Sequence, residues 1–363
     1  MPIVGVRPQI IKAASLIKLL NKHRKIELQL LHTGQHYDFE MSRVFFQDFN
    51  LPKPLVNLGV GRGTHAEQTA AMMIRIEKAL FRYRPDVVLV FGDANTALAG
   101  ALTAAKIHVP TAHIESGLRS GNLSMPEEVN RILVDHCSEM LFAPTKLAMR
   151  NLFNEGIPPE WVFHVGDTMA DAMHQWRKAI ESSAILDRLA LEPESFVVLT
   201  THRAENVDDR QRLNAILSAV LKIGALTVFP IHPRTRKNLS RFGLSTKLTR
   251  SRRILPIEAL DYMDMLCLMK NSRMVLTDSG GMQKEAFLLQ VPCLTLRDET
   301  EWVETIALKA NNLVGVRESR IVKEARRILA DENVKKRLSW LRSPFGDGRA
   351  SERILTVLLR EFK

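Results

Sequence analysis

The pattern of apolar and polar residues along the chain is one of alternating strands and helices. Residues 86–93 (DVVLVFGD) form a continuous run rich in β-branched side chains, which is typical of a strand buried on both faces of a parallel sheet. Residues 8–20 repeat apolar side chains at helical spacing, and Thr64 with Glu67 has the spacing of a capping box that begins a helix ending near Tyr83. This alternation predicts a parallel sheet with right-handed crossovers.

The alternation occurs in two series, and a length of 363 residues also favours two domains. The predicted strand segments of the first series are 2–6, 26–33, 86–93, 110–115, 139–144 and 161–167. Those of the second series are 196–206, 226–235, 253–257, 273–281 and 292–299. We therefore predict an α/β protein with two Rossmann-like doubly wound domains, 1–170 and 171–345, and a C-terminal helix at 346–363 that packs back on the first domain.

Charge and composition narrow the classes of partner. The net charge is +11, and the densest basic run, 234–253, holds eight Lys or Arg residues with Phe242 as its only aromatic residue. A nucleic-acid site would usually add stacking residues or a recognised module, so we interpret this run as a solvated face. No apolar run has the length of a membrane span or the layout of a signal peptide, which predicts a cytoplasmic protein without a nucleic-acid or membrane partner. The cysteines lack zinc-binding spacing, and we predict no metal site.

Three acidic residues follow apolar runs or begin a helical pattern within one short stretch. Asp93 ends a predicted strand, Glu115 follows the next strand, and Glu127 begins a helix. Since the carboxyl ends of parallel strands meet at one crevice, we expect these carboxylates to face one pocket, where they could divide acid and base roles. Taken singly, they have simpler explanations: Asp93 as a helix cap, and Glu127 with Arg131 as a surface ion pair.

A second group of candidates has the pattern of a phosphate-binding turn. Ser279, Gly280 and Gly281 lie between a predicted strand and a helix, where free backbone N–H groups and the helix dipole favour an anion. Glu285 lies further along that helix and is a candidate acceptor for ribose hydroxyls. The simpler explanation for the two glycines is a tight turn.

Basic candidates lie at the first strand-to-helix turn of each series. Arg7 and Lys12 flank the turn after the first strand, and His202 ends the matching strand of the second series. Such residues can bind a diphosphate, and a histidine can also be a general acid. A solvated helix start and a structural histidine are the alternatives. Together with the three acids, these residues predict an acid/base enzyme that acts on a sugar attached to a nucleotide diphosphate.

Nine segments, in order and spacing, resemble the non-hydrolysing UDP-N-acetylglucosamine 2-epimerase family. They are GVRPQIIKAA, HTGQHYD, FGDANTALAGAL, HIESGLRS, MPEEVNR, THRAENVDD, IHPRT, LTDSGGMQKEA and RDETEWVET. The resemblance covers essentially the whole chain. It implies two Rossmann-like domains with the active site in the cleft between them, as in glycosyltransferases of the GT-B class.

The resemblance also implies a reaction and a role for each candidate. A base would remove the proton on C2 while UDP leaves, giving a 2-acetamidoglycal, and UDP would then add back, with no metal or redox cofactor. The catalytic residues implied are Asp93, Glu115, Glu127 and His202. Among them we expect Asp93 and Glu127 to transfer protons. The binding residues implied are Arg7, Lys12, Arg131, Ser279, Gly280, Gly281 and Glu285. We expect a UDP-sugar as the small-molecule partner and a homodimer as the assembly.

Two departures from the usual family pattern bear on the substrate. Gln9 stands where Glu is typical, and Trp302 stands where Arg is expected. An uncharged Gln9 would not repel a carboxylated sugar, and Trp302 would form an apolar wall at the mouth of the cleft. The departures resemble the branch that acts on UDP-2,3-diacetamido-2,3-dideoxyglucuronate, which is the predicted substrate. The alternative is UDP-N-acetylglucosamine, epimerised to UDP-N-acetylmannosamine. A UDP-sugar glycosyltransferase, a non-catalytic UDP-sugar sensor and a hydrolysing epimerase are the competing functions.

Overall fold

The computed structural model of the chain describes residues 1–35 and 45–362. It divides into two compact units, Met1–Gln175 with Ser343–Lys363, and Trp176–Arg342. The limits predicted from the sequence, 170 and 345, lie a few residues from these. The end of the HTGQHYD segment, from residue 36 onward, lies outside the described residues.

The first unit holds parallel strands in doubly wound order. They are β1 (Ile3–Val4), β2 (Leu31–His32), β3 (Val56–Asn57), β4 (Val88–Phe91), β5 (Thr111–Ile114), β6 (Met140–Ala143) and β7 (Val162–His164). The first three pair in the order β1-β2-β3, and the other four pair in numerical order. A parallel bridge between Pro2 and Leu89 sets β1 beside β4, so the strand order reverses there. The carboxyl ends of β1 and β4 are therefore the switch point of this unit, where ligands bind in such sheets.

Several helices of the first unit begin after a threonine cap or have a proline in their first turn. The helices of this unit are α1 (Arg7–Lys22), α2 (His65–Tyr83), α3 (Asn95–Lys106), α4 (Pro126–His136), α5 (Lys146–Asn154) and α6 (Thr168–Gln175). The predicted capping box of α2 is formed, since Thr64 Oγ1 accepts from Glu67 N at 3.2 Å and Glu67 Oε2 accepts from Thr64 N at 2.8 Å. The small residues of α3 pack in one apolar core with the buried side chains of β4.

The C-terminal helix, Ala350–Glu361, belongs to the first unit. The carboxylate of Asp171 in α6 accepts from the backbone N–H groups of Ala350 and Ser351 at 2.9 and 2.6 Å. These N–H groups lie in the first turn of a helix, where no intrahelical acceptor is available. Asp171 therefore caps the C-terminal helix and attaches it to α6.

The second unit holds one six-stranded parallel sheet. Its strands are β8 (Phe196–Thr200), β9 (Leu226–Ile231), β10 (Ile254–Glu258), β11 (Val275–Thr277), β12 (Cys293–Thr295) and β13 (Asn311–Leu313). They pair in the order β10-β9-β8-β11-β12-β13, which is the doubly wound order with its switch point between β8 and β11. The helices are α7 (Arg177–Glu181), α8 (Ile185–Leu189), α9 (Ala204–Val207), α10 (Arg210–Ile223), α11 (Pro233–Arg241), α12 (Ser245–Thr249), α13 (Tyr262–Lys270), α14 (Gly280–Leu288), α15 (Val303–Ala307), α16 (Glu318–Leu329) and α17 (Val334–Ser339).

Three strands differ from the sequence-based expectation. The strand Val56–Asn57 was not predicted, because two residues are too few to form an apolar run. The strand predicted over 26–33 is only Leu31–His32, because β1 offers it a partner of just two residues. The strand Asn311–Leu313 was not predicted; its short, polar sequence lacks an apolar run, and it forms the edge of the sheet beside β12. Within the described residues, no helix is long and apolar enough to cross a membrane.

Candidate active site

The turn after β4 is the centre of the candidate site in the first unit. Gly92 has a φ of 61°, in the left-handed region that glycine adopts without strain. A Cβ added to Gly92 would lie 2.9 Å from Lys12 Nζ and 3.0 Å from Glu115 Oε2. Both its backbone angle and the position of these two side chains therefore favour glycine here.

Lys12 and Glu115 form an ion pair at this turn. Lys12 comes from α1 and Glu115 follows β5, so the pair joins two elements at the carboxyl edge of the sheet. Glu115 is buried and has a φ of 72°, which is uncommon for a residue with a Cβ. Such backbone strain persists only where the surrounding contacts enforce it, and it clusters at functional sites.

Asp93 accepts a hydrogen bond from Arg131. Arg131 Nη1 lies 2.7 Å from Asp93 Oδ2, and the side-chain amide of Asn130 donates to the backbone carbonyl of Asp93 at 2.8 Å. Ala94 is the N-cap of α3, so the helix-cap explanation of Asp93 is wrong. Arg131 is buried, so it does not form the ordinary surface pair that was the simpler explanation.

Opposing influences act on the pKa of Asp93. Burial raises it most, Arg131 and then Lys12 lower it, and Glu115 and Glu127 raise it, with a net pKa above the ordinary value of aspartate. The side chain nevertheless exposes 32% of its surface. An accessible carboxylate with a raised pKa is suited to accept and return a proton.

The two successive glutamates of α4 have different surroundings. Glu127 is half-buried and close enough to Asp93 to raise the pKa of that residue. Glu128 is buried, and its carboxylate accepts from the backbone N–H groups of residues 120–121 at 2.8–3.0 Å and from Arg131 Nε at 2.9 Å. Burial raises the pKa of Glu128, but these donors outweigh burial and bring the pKa below its ordinary value. Glu128 therefore holds the loop after β5 and orients Arg131 towards Asp93.

Two residues at the start of α1 make contacts of different kinds. The guanidinium of Arg7 lies 5.0 Å from the centre of the Phe45 ring. Gln9 is buried, with Oε1 accepting from Gly5 N at 2.9 Å and Nε2 donating to the carbonyl of Phe91 at 2.9 Å. The side-chain amide of Gln9 thus links the ends of β1 and β4, which form the switch point.

In the second unit, Asp278 holds the loop that follows β8. Asp278 comes directly after β11 and is fully buried. Its carboxylate accepts from the backbone N–H groups of His202 and Arg203 at 3.1 and 3.2 Å. Thr201 Oγ1 and Asn206 Nδ2 also donate to it, at 2.7 and 3.1 Å. His202 is therefore positioned through its backbone, while its side chain remains 39% exposed with Nδ1 3.4 Å from Asp278 Oδ1.

The glycine-rich turn after β11 begins α14. Ser279 is the N-cap, and its hydroxyl accepts from Met282 N at 3.5 Å. A Cβ added to Gly280 would lie 1.9 Å from Glu301 Oε1, so packing alone requires glycine there. A Cβ added to Gly281 would meet nothing closer than Ser279 Oγ at 4.0 Å. Close packing against Glu301 therefore accounts for Gly280, whereas Gly281 borders open space at a helix N-terminus, where an anion is favoured.

Two further residues singled out in the second unit are buried. Glu285 accepts a hydrogen bond from the hydroxyl of Tyr262 at 3.0 Å. Trp302 is only 3% exposed, and Lys284 Nζ lies 4.3 Å from the centre of its ring. The expectation that Trp302 forms an exposed apolar wall is therefore wrong, because its indole packs in the interior of the unit against the side chain of Lys284.

The candidates fall into two groups. Around the switch point of the first unit are Arg7, Lys12, Asp93, Glu115, Glu127 and Arg131. Around that of the second unit are His202, Ser279, Gly280, Gly281 and Glu285. The sequence did not single out Glu128 or Asp278. Each lies directly beside a residue that it did single out, which was the only available signal.

Comparisons with known proteins agree on one family. The sequence profile of UDP-N-acetylglucosamine 2-epimerases matches residues 18–359. A relative from Methanocaldococcus jannaschii, described as UDP-N-acetylglucosamine 2-epimerase, is 45% identical over 98% of this chain and 97% of its own length. A relative from Pseudomonas aeruginosa, described as UDP-2,3-diacetamido-2,3-dideoxy-D-glucuronate 2-epimerase, is 42% identical over 99% of this chain and 99% of its own length.

Solved structures agree on the fold. The crystal structure of Methanocaldococcus jannaschii UDP-GlcNAc 2-epimerase in complex with UDP-GlcNAc and UDP has a TM-score of 0.91 at 44% identity, covering 99% of each chain. A Phytolacca americana UGT2 structure has a TM-score of 0.63 at 13% identity over 99% of each chain, which is a likeness of fold alone. The predicted class, α/β with two Rossmann-like doubly wound domains of the GT-B type, is confirmed.

Proposed function

Because the chain belongs to the UDP-N-acetylglucosamine 2-epimerase family, we propose that it inverts C2 of a UDP-2-acetamido sugar by removing UDP and adding it back. The enzyme is an isomerase, as its relatives are. The C2–H bond and the bond from C1 to the UDP oxygen break, and a double bond forms between C1 and C2. Return of the proton to the opposite face of C2 and re-addition of UDP to C1 complete the epimerisation.

The observation that carries this proposal is the environment of Asp93. Its raised pKa and partial exposure suit a group that takes a proton and then holds it. We propose Asp93 and Glu127 as the two groups that exchange a proton with opposite faces of C2. Glu115, held by Lys12, supports them by keeping charge balance around the Gly92–Asp93 turn. Elimination and re-addition of UDP leave the oxidation state of the substrate unchanged, so the reaction needs no redox cofactor.

The residues at the second switch point are proposed to bind the nucleotide. The open side of Gly281 at the start of α14 leaves room for a phosphate near the first backbone N–H groups of the helix. His202 presents an exposed ring on a loop held by Asp278, which suits a donor to the diphosphate. Glu285 would accept from the ribose hydroxyls, and Arg7 and Arg131 would add positive charge towards the anionic substrate.

The identity of the sugar is the finer part of the proposal. UDP-2,3-diacetamido-2,3-dideoxyglucuronate is supported by the Pseudomonas aeruginosa relative and by the departures at Gln9 and Trp302. The alternative, UDP-N-acetylglucosamine, is supported by the Methanocaldococcus jannaschii relative. Both departures are buried residues, so any effect on sugar choice would act through the packing around the site rather than through a direct contact.

Product analysis tests the proposal and separates its rivals. Each UDP-sugar is incubated with the enzyme and followed by proton NMR, with specificity constants measured for both. The proposal predicts a mixture of two C2 epimers that both remain attached to UDP. Accumulation of free amino sugar with UDP would indicate a hydrolysing epimerase, transfer to an added acceptor would indicate a glycosyltransferase, and binding without turnover would indicate a sensor.

We also propose a homodimer. Helices α2 and α4 leave large apolar side chains on the surface of the first unit, which a second copy would cover. They are Ile74, Phe81, Val129 and Leu133. Sedimentation velocity at several protein concentrations tests this assembly, with Phe81→Glu expected to shift the population towards monomer.

A further inference from the structure

His113 lies within β5, directly beneath the candidate carboxylates, and is fully buried. Its Nε2 is 2.9 Å from the carbonyl oxygen of Gly92, and its Nδ1 is 2.6 Å from Oδ1 of Asp135. Asp135 is also fully buried. The imidazole thus connects the backbone at the turn after β4 with a carboxylate of α4.

The partners of His113 determine where its protons are. A carbonyl oxygen only accepts, so Nε2 must carry the proton that it shares with Gly92. Asp135 Oδ2 already accepts from Gly117 N at 3.0 Å and Arg119 Nη1 at 2.7 Å, which favours the ionised carboxylate. Burial raises the pKa of Asp135, but His113 and Arg119 lower it by more than burial raises it, so its pKa lies below the ordinary value. The proton on Nε2 is therefore directed at the Gly92 carbonyl, and Nδ1 faces the carboxylate of Asp135.

We infer that the buried side chain of His113 positions the Gly92–Asp93 turn for catalysis through the hydrogen bond from its Nε2, an assignment that rests on the proposed function of Asp93. On the other side of the ring, Nδ1 lies 2.6 Å from Oδ1 of Asp135, without solvent contact. Asp135 also pairs with Arg119, which pairs in turn with Glu155 at 2.6 Å. Asp135 thus fixes the ring from one side, and the Nε2–H is directed at the turn.

The turn needs this support because its central residue is glycine. Without a Cβ, Gly92 has fewer steric limits on its backbone angles than other residues, and a rotated Gly92 peptide would swing the side chain of Asp93. Three successive carbonyls are each held by a buried side chain: Phe91 by Gln9 at 2.9 Å, Gly92 by His113 at 2.9 Å, and Asp93 by Asn130 at 2.8 Å. The bond from His113 is the middle one and acts on the glycine itself.

Two isosteric variants separate the contacts of His113. The amide nitrogen of glutamine reaches the place of Nε2, so His113→Gln keeps a donor for Gly92 and loses the contact with Asp135. The amide nitrogen of asparagine takes the place of Nδ1, so His113→Asn keeps a donor for Asp135 and leaves the Gly92 carbonyl without one. Each variant keeps one of the two contacts of the ring and loses the other, which makes them matched controls for a general loss of stability.

The kinetic test compares kcat and KM of the two variants with wild type, after circular dichroism has shown that each is folded. Positioning of Asp93 predicts that kcat falls about tenfold or more further in His113→Asn than in His113→Gln, with KM changed by about twofold or less in both. Equal losses of kcat in the two variants, following their loss of thermal stability, would overturn the positioning role.

The hydrogen bond from His113 to the turn is tested on the wild-type protein independently of any activity. Nitrogen-15 NMR, assigned by loss of the signals in His113→Gln, should show a proton on Nε2. An unprotonated Nε2 would overturn the bond to the Gly92 carbonyl, even if the enzyme is active. A protonated Nε2 in a protein that turns over no UDP-sugar would instead leave this bond standing and contradict the proposed function.

Discussion

The switch points of the two units have the same strand topology, but their carboxylates differ in exposure and in the groups that they contact. At the first, carboxylates of Asp93 and Glu115 face cations, and Asp93 keeps partial exposure and a raised pKa. At the second, the carboxylate of Asp278 is fully buried and accepts hydrogen bonds from backbone and side-chain donors of the loop after β8. The topology places both sets at a sheet edge, but the carboxylate of Asp93 is partly exposed, whereas that of Asp278 is buried.

The largest effect is expected from removing the proton-exchanging group of the first switch point. Asp93→Asn should lower kcat about 100-fold or more, the range for loss of a general acid or base, with little change in UDP affinity. Asp86→Asn, an exposed position just before β4 at its opposite end, is the matched control and should retain activity. An Asp93→Asn enzyme with near wild-type kcat would contradict proton exchange by Asp93, and with it the proposed difference between the two switch points.

The next effect concerns the anion site assigned to the second switch point. Gly281→Asp should weaken UDP binding about 10- to 100-fold in calorimetry, since a carboxylate would face the diphosphate at close range. Gly281→Ala adds only a Cβ in open space and should bind UDP nearly as well as wild type. Equal UDP affinity of folded Gly281→Asp and Gly281→Ala would contradict the site.

The pH dependence sharpens the contrast further. The base form of Asp93 is ionised, so activity is lost as pH falls through its pKa. Arg131 lowers the pKa of Asp93, and therefore Arg131→Gln should move the acid limb of kcat/KM to higher pH, while Arg131→Lys keeps the charge and should move it less. If the acid limb of kcat/KM does not move in a folded Arg131→Gln enzyme, a group other than Asp93 determines the pH of that limb.

The smallest effect is expected at Gln9, whose amide links the ends of β1 and β4. Gln9→Glu keeps an acceptor for Gly5 N but turns an oxygen towards the carbonyl of Phe91. We expect a lower free energy of unfolding, by about 1–3 kcal/mol, measured by urea denaturation. The specificity constants for the two candidate sugars should fall by similar factors. A selective loss for the carboxylated sugar would restore the electrostatic explanation suggested by the sequence.

Much of the fold could be predicted because its signals are local. The strand before Gly92 and the capped helix that ends at Tyr83 were predicted from adjacent residues alone. The polar edge strand Asn311–Leu313 was missed because its formation depends on pairing with β12, not on its own sequence. Local periodicity carries no information about such a partner.

The site could be predicted only in part, for the same reason. Charged residues at strand ends are visible in the sequence, which is how Asp93 and Glu115 were found. The roles of His113, Gln9 and Asp278 depend on hydrogen bonds to backbone groups distant in sequence, such as the bond from Gln9 to Phe91. Residue type alone does not distinguish a side chain that meets substrate from one that holds the backbone beneath it.

Exchange at C2 of the substrate tests the central claim most directly. The enzyme is incubated with a UDP-2-acetamido sugar in deuterated water, and C2 is followed by NMR, with Asp93→Asn as the control. Proton removal by the carboxylates of the first switch point predicts that deuterium enters at C2 of the epimerised product in the wild-type reaction and not in the control. Retention of the original hydrogen at C2 in the epimerised product would contradict elimination and re-addition of UDP.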